Sequence, residues 1–418
     1  MKILQVNNYA YLKGGAEKVF FETISVLEKN GHDVYAFSMS DERNRTDINL
    51  TSVDIKPYEE RKGMIQNLKA IKNFFYNNDV EEQFSNLLNE VQPHIIHIHI
   101  VYGRLTNAII KVAKRYKIPV IQSVHEFRLL CPIYTCLNPK NEICEKCASS
   151  LVNFSCITQK CSKNSLVNSL LVASECKCRD WFHSYQKNIS GFIMVSKFIM
   201  DKHLKYFPTI KDKCFQIYNS VETSFYRQYV NDDKYQEDRY YLYFGRLSYE
   251  KGIMTLLNFF AEHSDLKLRI AGTGPLMEEI EGMIDRHSLN NIELLGYKSG
   301  EELYRLIANA YFTIVPSEWY ENNPLSIIES LALGTPIIGN NIGGIPEIIA
   351  NGDTGFIYDY RHVDEFAQLI ETAEVLTREE YNRMCVCCLS EAVGHFENKN
   401  YYDKLMAVYM SVLKECKS

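Results

Sequence analysis

The chain has 418 residues, too many for one ordinary domain, and its 46% hydrophobic and 23% charged residues are typical of a soluble globular protein. A net charge of -6 argues against a nucleic-acid partner, and no apolar run is long enough to span a membrane. The amino-terminal residues MKILQVNNYA are too short and too polar for a signal peptide. We therefore expect a cytoplasmic protein whose 13 cysteines stay reduced.

The first half of the chain alternates short apolar runs with longer amphipathic segments. Apolar residues at helical spacing separate the first two runs, and Gly31 suits the position just after the last turn of that helix. Strand, helix and strand in this order predict a parallel sheet. The predicted strands are KILQV (residues 2–6), DVYAFSM (33–39), HIIHIHI (94–100), PVIQSVH (119–125) and GFIMVS (191–196).

The second half repeats this alternation after a polar stretch without periodicity, YVNDDKYQEDR (residues 229–239), which is predicted to be a linker. Two such halves predict an α/β protein with two doubly wound, Rossmann-like domains that face a cleft and bind ligands at the carboxyl ends of their strands. The predicted strands are YYLYFG (240–245), LKLRIAG (266–272), NIELLGY (291–297), YFTIVPS (311–317) and TPIIG (335–339).

The predicted domains follow from this division. We expect an amino-terminal domain over residues 1–220, with a cysteine-rich insertion at 131–161, and a carboxyl-terminal domain over residues 221–395. The last segment, residues 396–418, contains an amphipathic pattern and is predicted to be a helix that packs back across the domains.

Two glycine-containing loops follow predicted strands, one at Gly14 and Gly15 and the other at Gly272 and Gly274. Neither has the dinucleotide or the Walker pattern. Glycines let a backbone approach a ligand closely, and the start of the following helix attracts anions. In the second loop, Pro275 is predicted at the first helical position. A plain strand-to-helix turn explains the first loop at least as well as a ligand site does, and it is the favoured interpretation of the second loop.

Arg246 and Lys251 follow the strand YYLYFG at its carboxyl end. A guanidinium beside an ammonium suits a diphosphate, although two solvated surface cations are the common alternative.

Glu321 and Glu329 flank an Asn-Pro pair in YENNPLSIIES, which raises the question of an acid–base pair. Asn323 is predicted as the N-cap and Pro324 as the first helical residue, followed by Leu325. Both glutamates then lie near a helix start that favours a diphosphate, so they could bind hydroxyl groups on either side of it. Solvated surface charges are the alternative.

Six cysteines lie between residues 131 and 161. The spacing of Cys144 with Cys147 and of Cys156 with Cys161 resembles a small zinc knuckle. Cys131 and Cys136 are further ligand candidates, an iron–sulfur cluster is a second hypothesis, and reduced thiols without a metal are a third.

Two further patterns have competing interpretations. His97 and His99 share one face of a strand, and satisfied buried histidines are favoured over a metal site there. The segment RKGMIQNLKAIKNFFYN (residues 61–77) has a basic amphipathic pattern that fits core packing or, as a minority hypothesis, peripheral contact with an anionic membrane.

The order of these motifs resembles that of the retaining glycosyltransferases of family 4, which have the two-domain GT-B fold. The seven residues between Glu321 and Glu329, followed by SLALGTPIIG and GGIPEII, resemble the family's carboxyl-terminal signature. GGAE at residues 14–17 resembles its amino-terminal loop, and His125 stands where the family has a histidine that lines the donor-sugar site. Arg246, Lys251 and the GTGP turn at residues 272–275 match further family positions.

The resemblance has two departures. Glu126 follows His125 where the family often has Asp, and Asn219-Ser220-Val221-Glu222 replaces the family's Asn-Gly turn. Serine adopts a positive φ less readily than glycine, so the shape of this loop and the donor selectivity are open.

The resemblance implies transfer of a sugar, typically a hexose from UDP, to a glycan or lipid-linked acceptor in bacterial polysaccharide or glycoconjugate assembly, without a catalytic metal. Arg246, Lys251 and the helix start would hold the diphosphate, Glu329 the ribose, and Glu321 and His125 the donor sugar. The remaining donor-binding positions implied are Gly14, Gly15, Asn219, Gly272, Gly274, Asn323, Pro324 and Leu325. A sugar-nucleotide epimerase on the same fold and a non-catalytic binding module built on the cysteines remain alternatives.

Overall fold

A computed structural model describes residues 1–55, 64–231, 235 and 239–416. The chain divides into two compact units, Met1–Tyr218 with Tyr401–Ser418, and Asn219–Asn400. Each unit contains one sheet of parallel strands with helices between them, which confirms the predicted α/β class with two Rossmann-like domains.

The first unit contains a seven-stranded parallel sheet in the order β3-β2-β1-β4-β5-β6-β7. All five strands predicted for this half are present, and the short strands β3 and β7 at the two edges were not predicted. The strands are β1 (Lys2–Val6), β2 (Asp33–Met39), β3 (Leu50–Val53), β4 (Ile95–Ile98), β5 (Val120–Val124), β6 (Gly191–Met194) and β7 (Cys214–Gln216).

The helices of the first unit connect these strands, and the last helix of the chain returns to it. They are α1 (Gly15–Lys29), α2 (Met64–Phe75), α3 (Asn78–Val91), α4 (Ala108–Arg115), α5 (Phe154–Thr158), α6 (Leu166–His183), α7 (Tyr185–Asn188), α8 (Lys197–Tyr206) and α16 (Asn398–Glu415), with a 3-10 turn at Pro208–Lys213.

Helix α16 completes the core of the first unit. Its apolar side chains recur at helical spacing and pack with residues of α1 and of the central strands, such as Phe20 and Ile95. The buried members of α16 are Tyr401, Leu405, Val408, Tyr409 and Val412. The carboxyl-terminal segment is therefore a structural part of the first unit.

The second unit contains a six-stranded parallel sheet in the order β10-β9-β8-β11-β12-β13. The edge strand β13 was not predicted. The strands are β8 (Tyr241–Phe244), β9 (Leu268–Ala271), β10 (Ile292–Gly296), β11 (Phe312–Val315), β12 (Ile337–Asn340) and β13 (Gly355–Tyr358).

Helices cover this sheet around a core that includes Leu256, Phe260, Ile280 and Tyr311. They are α9 (Thr223–Arg227), α10 (Ile253–Glu262), α11 (Met277–His287), α12 (Gly300–Asn309), α13 (Leu325–Ala332), α14 (Val363–Glu374) and α15 (Arg378–His395), with 3-10 turns at Tyr249–Lys251 and Ile345–Glu347. Because β9, β8 and β11 are neighbours and parallel, the loops that follow them meet at one edge of the sheet.

Two predicted segments lie partly outside the described residues. The basic amphipathic segment starts at residue 61, and the described structure begins again with the backbone of α2, without the side chains of residues 64–69. The linker at 229–239 includes residues 232–234 and 236–238, which are also outside. Within the described ranges, every helix is too short or too polar to cross a bilayer.

The packing of α16 predicts a stability difference between two residues of that helix. Leu405 is fully buried, whereas 45% of the surface of Met410 is exposed. We expect Leu405→Ala to lower the free energy of unfolding by about 2–5 kcal/mol, because it removes a core side chain and leaves a cavity. The matched control, Met410→Ala, should change it by about 0.5 kcal/mol or less. Urea unfolding followed by circular dichroism measures both, and equal effects would contradict the packing of α16.

Candidate functional site

Glu321 lies in the loop after β11 and is buried. Its Oε1 atom accepts hydrogen bonds from the Lys251 ammonium at 2.5 Å, the Ser317 hydroxyl at 2.7 Å and the Trp319 indole N–H at 2.9 Å. The Lys251 ammonium also lies 4.9 Å from the centre of the Trp319 ring. Its second oxygen, Oε2, receives no hydrogen bond from the described residues, so it can accept one from a ligand hydroxyl.

The surroundings of Glu321 decide its charge. Burial raises its pKa, but the charge of Lys251 and the three hydrogen bonds outweigh burial and hold the pKa below the ordinary value. Glu321 is therefore ionised at neutral pH and accepts hydrogen bonds, so it has no proton to donate as a general acid. This ionised form stabilises the fold above the unfolded-state pKa of about 4.3, and the contribution is lost as the pH falls through the folded-state pKa.

The loop after β12 supports the backbone of Glu321. The Gly344 N–H donates to the Glu321 carbonyl oxygen at 2.7 Å. Gly343 has a φ of +63°, and a Cβ at this position would lie 2.2 Å from the same oxygen, so only glycine fits. Glu321 is thus held through its side chain by the loops after β8 and β11, and through its backbone by the loop after β12.

Helix α13 begins one residue later than predicted. Pro324 is its N-cap and Leu325 its first residue, so the prediction of Asn323 as the N-cap is wrong. The Asn323 Oδ1 atom instead accepts the Asn219 N–H at 2.7 Å, and the Asn219 Nδ2 donates to the Asn323 carbonyl at 2.9 Å. The Nδ2 atom of Asn323 is buried without a hydrogen-bond partner in the described structure, which leaves a donor for a ligand oxygen.

Glu329 is the fifth residue of α13 and is buried, with 5% of its surface exposed. The alternative of a solvated helix charge therefore does not hold for Glu329. Burial of a carboxyl group this close to the start of α13 fits a role in binding polar groups of a ligand.

Arg246 lies just after β8 with its side chain exposed, and it forms no ion pair within the described residues. The loops after β8 and β9 are in backbone contact there. A Cβ on Gly272 would lie 1.8 Å from the Gly245 carbonyl oxygen, and one on Gly274 would lie 2.2 Å from the Leu247 carbonyl oxygen. Both glycines therefore let the two loops approach each other.

Pro275 does not start the helix that follows these glycines, because α11 begins at Met277 with Leu276 as its N-cap. The predicted first helical position for Pro275 is wrong, and the turn extends two residues further than the pattern indicated.

In the first unit, the glycine loop is short and exposed. Gly14 is the N-cap of α1 and Gly15 its first residue, and both are open to solvent. Glu17 in the first turn is buried, and its Oε1 accepts a hydrogen bond from the Asn7 side chain at 3.4 Å. Burial raises the pKa of Glu17.

His125 and Glu126 follow β5 at the carboxyl edge of the first sheet. The Nε2 atom of His125 lies 2.9 Å from Nδ1 of His99. Burial raises the pKa of Glu126 to about 7, although the charges of Arg128 and Arg179 act in the opposite direction. The Glu126 carboxyl group makes no hydrogen bond with the described residues, so it is titratable near neutral pH.

The cysteine segment does not support the zinc prediction. Over the described ranges, no three or more His, Cys, Asp or Glu side chains are arranged to hold a metal ion. Cys156 is hydrogen-bonded to Cys161, and burial raises the pKa of Cys147 to about 12. Cys144 is partly exposed and, like the others, is a free thiol.

Three contributors to these sites were not predicted. Ser317 and Trp319 donate hydrogen bonds to Glu321. The one indication of this in the sequence was that they lie four and two residues before Glu321, in one of the two segments that contain a tryptophan. Glu126 was noted only because the family often has Asp at this position, and the neighbouring residues do not indicate that its carboxyl group is buried.

The raised pKa of Glu126 predicts a pH-dependent effect of its removal. Between the unfolded pKa of about 4.3 and the folded pKa near 7, the folded chain binds more protons, so the free energy of unfolding falls as the pH rises. Glu126→Gln removes this penalty. We expect the variant to be more stable than the parent protein at pH 8, by about 1–3 kcal/mol, and to differ little at pH 4.5.

Thermal unfolding at both pH values measures this effect. Glu90→Gln, at the exposed end of α3, serves as the control for loss of a carboxylate in the same unit. A Glu126→Gln variant that is less stable than the parent at pH 8 would contradict a net cost of ionising Glu126 in the folded protein.

Family models match both units. Residues 13–225 match the model described as Glycosyltransferase Family 4, and residues 228–385 match the model described as Glycosyl transferases group 1. A similar curated protein is an uncharacterized 42.6 kDa protein in the cps region of Klebsiella pneumoniae, 25% identical over 365 residues that cover 83% of this chain and 87% of the relative. Glycogen synthase of Mycobacterium tuberculosis is 36% identical over 119 residues, 27% of this chain and 28% of the relative.

Solved structures share the fold over almost the whole chain. A glycosyltransferase from Rickettsia africae superposes with a TM-score of 0.71 at 16% identity, covering 99% of this chain and 98% of the other. The Anabaena protein HepE in complex with UDP and glucose superposes with a TM-score of 0.68 at 16% identity, covering 98% and 100%. The two sheets are those of the GT-B fold, and the family 4 match alone covers about half of the chain. The chain therefore belongs to glycosyltransferase family 4.

Proposed function

We propose that the protein is a retaining glycosyltransferase that transfers a sugar from a nucleoside diphosphate sugar, UDP-linked, to a glycan or lipid-linked glycan. The observation that carries this proposal is the Glu321 carboxylate, held ionised by Lys251 and two further donors with one oxygen left to accept. A fixed acceptor of this kind suits the hydroxyl groups of a sugar. The HepE complex with UDP and glucose supports the choice of donor class.

The donor diphosphate would lie at the edge formed by the loops after β8 and β9 and the start of α13. Arg246 provides an exposed guanidinium there, and the buried Asn323 Nδ2 provides a donor without a partner in the described structure. The free N–H groups at the start of α13 add a favourable field for an anion. When the bond to the sugar breaks, negative charge develops on the leaving phosphate, and these fixed groups stabilise it.

Lys251 then has two roles in the proposal. Its ammonium neutralises Glu321, and its charge also contributes to the potential at the diphosphate. Glu329, buried in α13, would accept hydrogen bonds from the ribose hydroxyls. Fixed cations would supply the charge that a divalent metal supplies in other transferases.

Retention of configuration would follow from attack on the same face that the leaving group occupies. The acceptor oxygen forms the new bond to the anomeric carbon, the old bond to the phosphate oxygen breaks, and the acceptor's proton passes to that phosphate. None of these steps needs Glu321 to move a proton, which is consistent with its lowered pKa.

The relatives and the composition support a proposal for the cellular setting. The relative in the Klebsiella cps region supports a role in polysaccharide assembly. We place the protein in the cytoplasm, with peripheral contact at the cytoplasmic face of the membrane where a lipid-linked acceptor would reside.

The proposed donor predicts ligand-dependent stabilisation. A nucleotide that binds only the folded protein raises its thermal unfolding midpoint, so UDP and UDP-sugars should raise it, and more than ADP- or GDP-sugars do. A screen by thermal shift measures this. A midpoint unchanged by every nucleotide sugar would contradict the proposal and favour the non-catalytic module.

Removal of either charge of the buried ion pair predicts loss of turnover. Glu321→Gln removes the charge but keeps the volume, and Lys251→Met leaves the buried carboxylate without its cation. Each should reduce UDP release from the UDP-sugar by roughly 100-fold or more, as expected for loss of preorganised electrostatic stabilisation.

The matched control is the exposed pair of Arg305 and Glu301 in the same unit. Arg305→Met and Glu301→Gln should leave turnover within about twofold, because exposed pairs contribute little. Turnover near the parental value in Glu321→Gln would exclude this residue from the site. An epimerase is distinguished by conversion of the donor to an isomer without transfer to an added glycan.

A further inference from the structure

Large apolar side chains are exposed along α6 and on the turn beside it, in the segment that connects β5 and β6. Each has between 48% and 78% of its surface exposed. Single exposed apolar residues are common, whereas a group of this size marks a binding surface. This α6 face consists of Leu151, Val152, Phe154, Val167, Leu170 and Trp181.

The residue spacing in α6 accounts for the helical part of this face. Val167, Leu170 and Trp181 recur at intervals that place them on one side of the helix. The two carboxylates of α6 lie on the opposite side, where Glu175 is 3.4 Å and Asp180 is 3.6 Å from nitrogens of the buried Arg179. The helix therefore turns apolar side chains outward and its acidic ones inward.

The turn that carries the other apolar residues is held against α6 by Asn153. This residue is buried with a φ of +53°, and its Nδ2 donates to the Ala173 carbonyl oxygen of α6 at 3.4 Å. Because Asn153 points inward, Val152 and Phe154 on either side of it are exposed. The turn and the helix thus form one surface.

The charges around the α6 face are positive. Residues 146–174 contain no Asp or Glu, although the chain as a whole has a net charge of -6. Lys160 and Lys163 are exposed in the turn that leads into α6. Lys177 follows Leu170 by two helical turns, so it lies on the α6 face. The apolar side chains are therefore bordered by lysines.

This combination favours a lipid surface over a protein partner. Protein interfaces are enriched in tyrosine, methionine and arginine and depleted in lysine, whereas the α6 face is mainly aliphatic and bordered by lysine. A second copy that docked through the same face would bring the lysines of both copies together. On an anionic bilayer, apolar side chains enter the acyl boundary, lysines reach the headgroups, and tryptophan is favoured between them.

We propose that the α6 face is the surface through which the protein docks on an anionic lipid bilayer. The docking element is then α6 with its neighbouring turn, and not the basic segment at residues 61–77. The reason to dock, access to a lipid-linked acceptor, rests on the proposed function, whereas lipid binding itself requires no sugar transfer.

Vesicle flotation of the full chain measures docking. The vesicles contain equal parts of phosphatidylglycerol and phosphatidylcholine, or phosphatidylcholine alone. We expect the protein to float with the anionic vesicles and to stay behind with the neutral ones, and added salt should weaken binding. A protein that floats with neither vesicle, or equally with both, would overturn the proposal.

The apolar contribution is tested by Val167→Gln combined with Leu170→Gln. Both residues are exposed, so the fold should be kept, and the affinity for anionic vesicles should fall by about tenfold or more. The matched control, Val386→Gln with Val393→Gln on the exposed side of α15, should stay within about twofold.

Two outcomes of this comparison would refute the α6 face as the docking surface. Unchanged vesicle affinity in the Val167 and Leu170 variant would assign lipid binding to another element. A dimer of the parent protein that the same variant dissociates would assign the face to a second copy.

The lysines are tested by Lys160→Glu combined with Lys163→Glu, which should lower binding to anionic vesicles by about tenfold or more. Lys114→Glu with Lys414→Glu changes the net charge by the same amount at exposed positions of the first unit and should have a smaller effect. Equal losses in the two variants would mean that net charge alone decides binding, which contradicts a defined surface.

Trp181 reports on its own position, because the chain contains only one other tryptophan, Trp319. Anionic vesicles should shift the tryptophan emission to shorter wavelength, and Trp181→Phe should abolish this shift. A shift that persists in Trp181→Phe would place Trp181 away from the lipid and contradict the proposal.

Sugar transfer to a soluble glycan, measured without vesicles, separates docking from the proposed function. Flotation without transfer would refute the transferase and support the α6 face. Transfer without flotation would do the reverse.

Discussion

Burying a carboxylate without an opposite charge or hydrogen-bond donors destabilises the folded protein. In the second unit, two loops supply these partners to the buried carboxylate of Glu321, and a third loop holds its backbone. The Glu321 side chain accepts hydrogen bonds from Lys251 in the loop after β8 and from Ser317 and Trp319 in the loop after β11. Its carbonyl oxygen accepts one from the Gly344 N–H in the loop after β12. Three loops that are separated in the sequence therefore converge on one residue. These contacts orient Glu321 in the absence of a ligand, and such preorganisation lowers the cost of binding.

The buried groups at the carboxyl ends of the two sheets differ in charge. In the second unit the central groups are ions, with an ionised carboxylate against an ammonium. In the first unit the central groups are neutral imidazoles, kept so by burial, beside a carboxyl group whose pKa is near 7. In the proposed function, the charged edge would bind an anion with sugar hydroxyls beside it.

Much of the fold was predictable because buried parallel strands are continuous apolar runs. All three unpredicted strands, β3, β7 and β13, are sheet edges, where one neighbour is missing and the apolar run is short or interrupted. The start of α13 was misplaced by one residue because Asn323 fits a cap by type, and its partner Asn219 is 104 positions away. Local sequence carries no information on such a contact.

The same limit applies to the candidate site. The order of motifs was sufficient to place Lys251 and Glu321 at one sheet edge, but their direct pairing depends on the conformation of two loops. The spacing of four cysteines suggested a metal site, yet spacing does not determine where thiols point once they are buried. Conversely, the alternation of His97 and His99 was correctly interpreted as a buried, hydrogen-bonded face.

The chain returns to the first unit at Tyr401, and this affects when that unit can finish folding during synthesis on the ribosome. Synthesis proceeds from the amino terminus, so the first unit emerges without α16, and its core lacks Leu405 and Tyr409 until the entire second unit has been made. During that interval the apolar surface that α16 covers has no partner from its own chain. The first unit to be synthesised is thus the last to be completed.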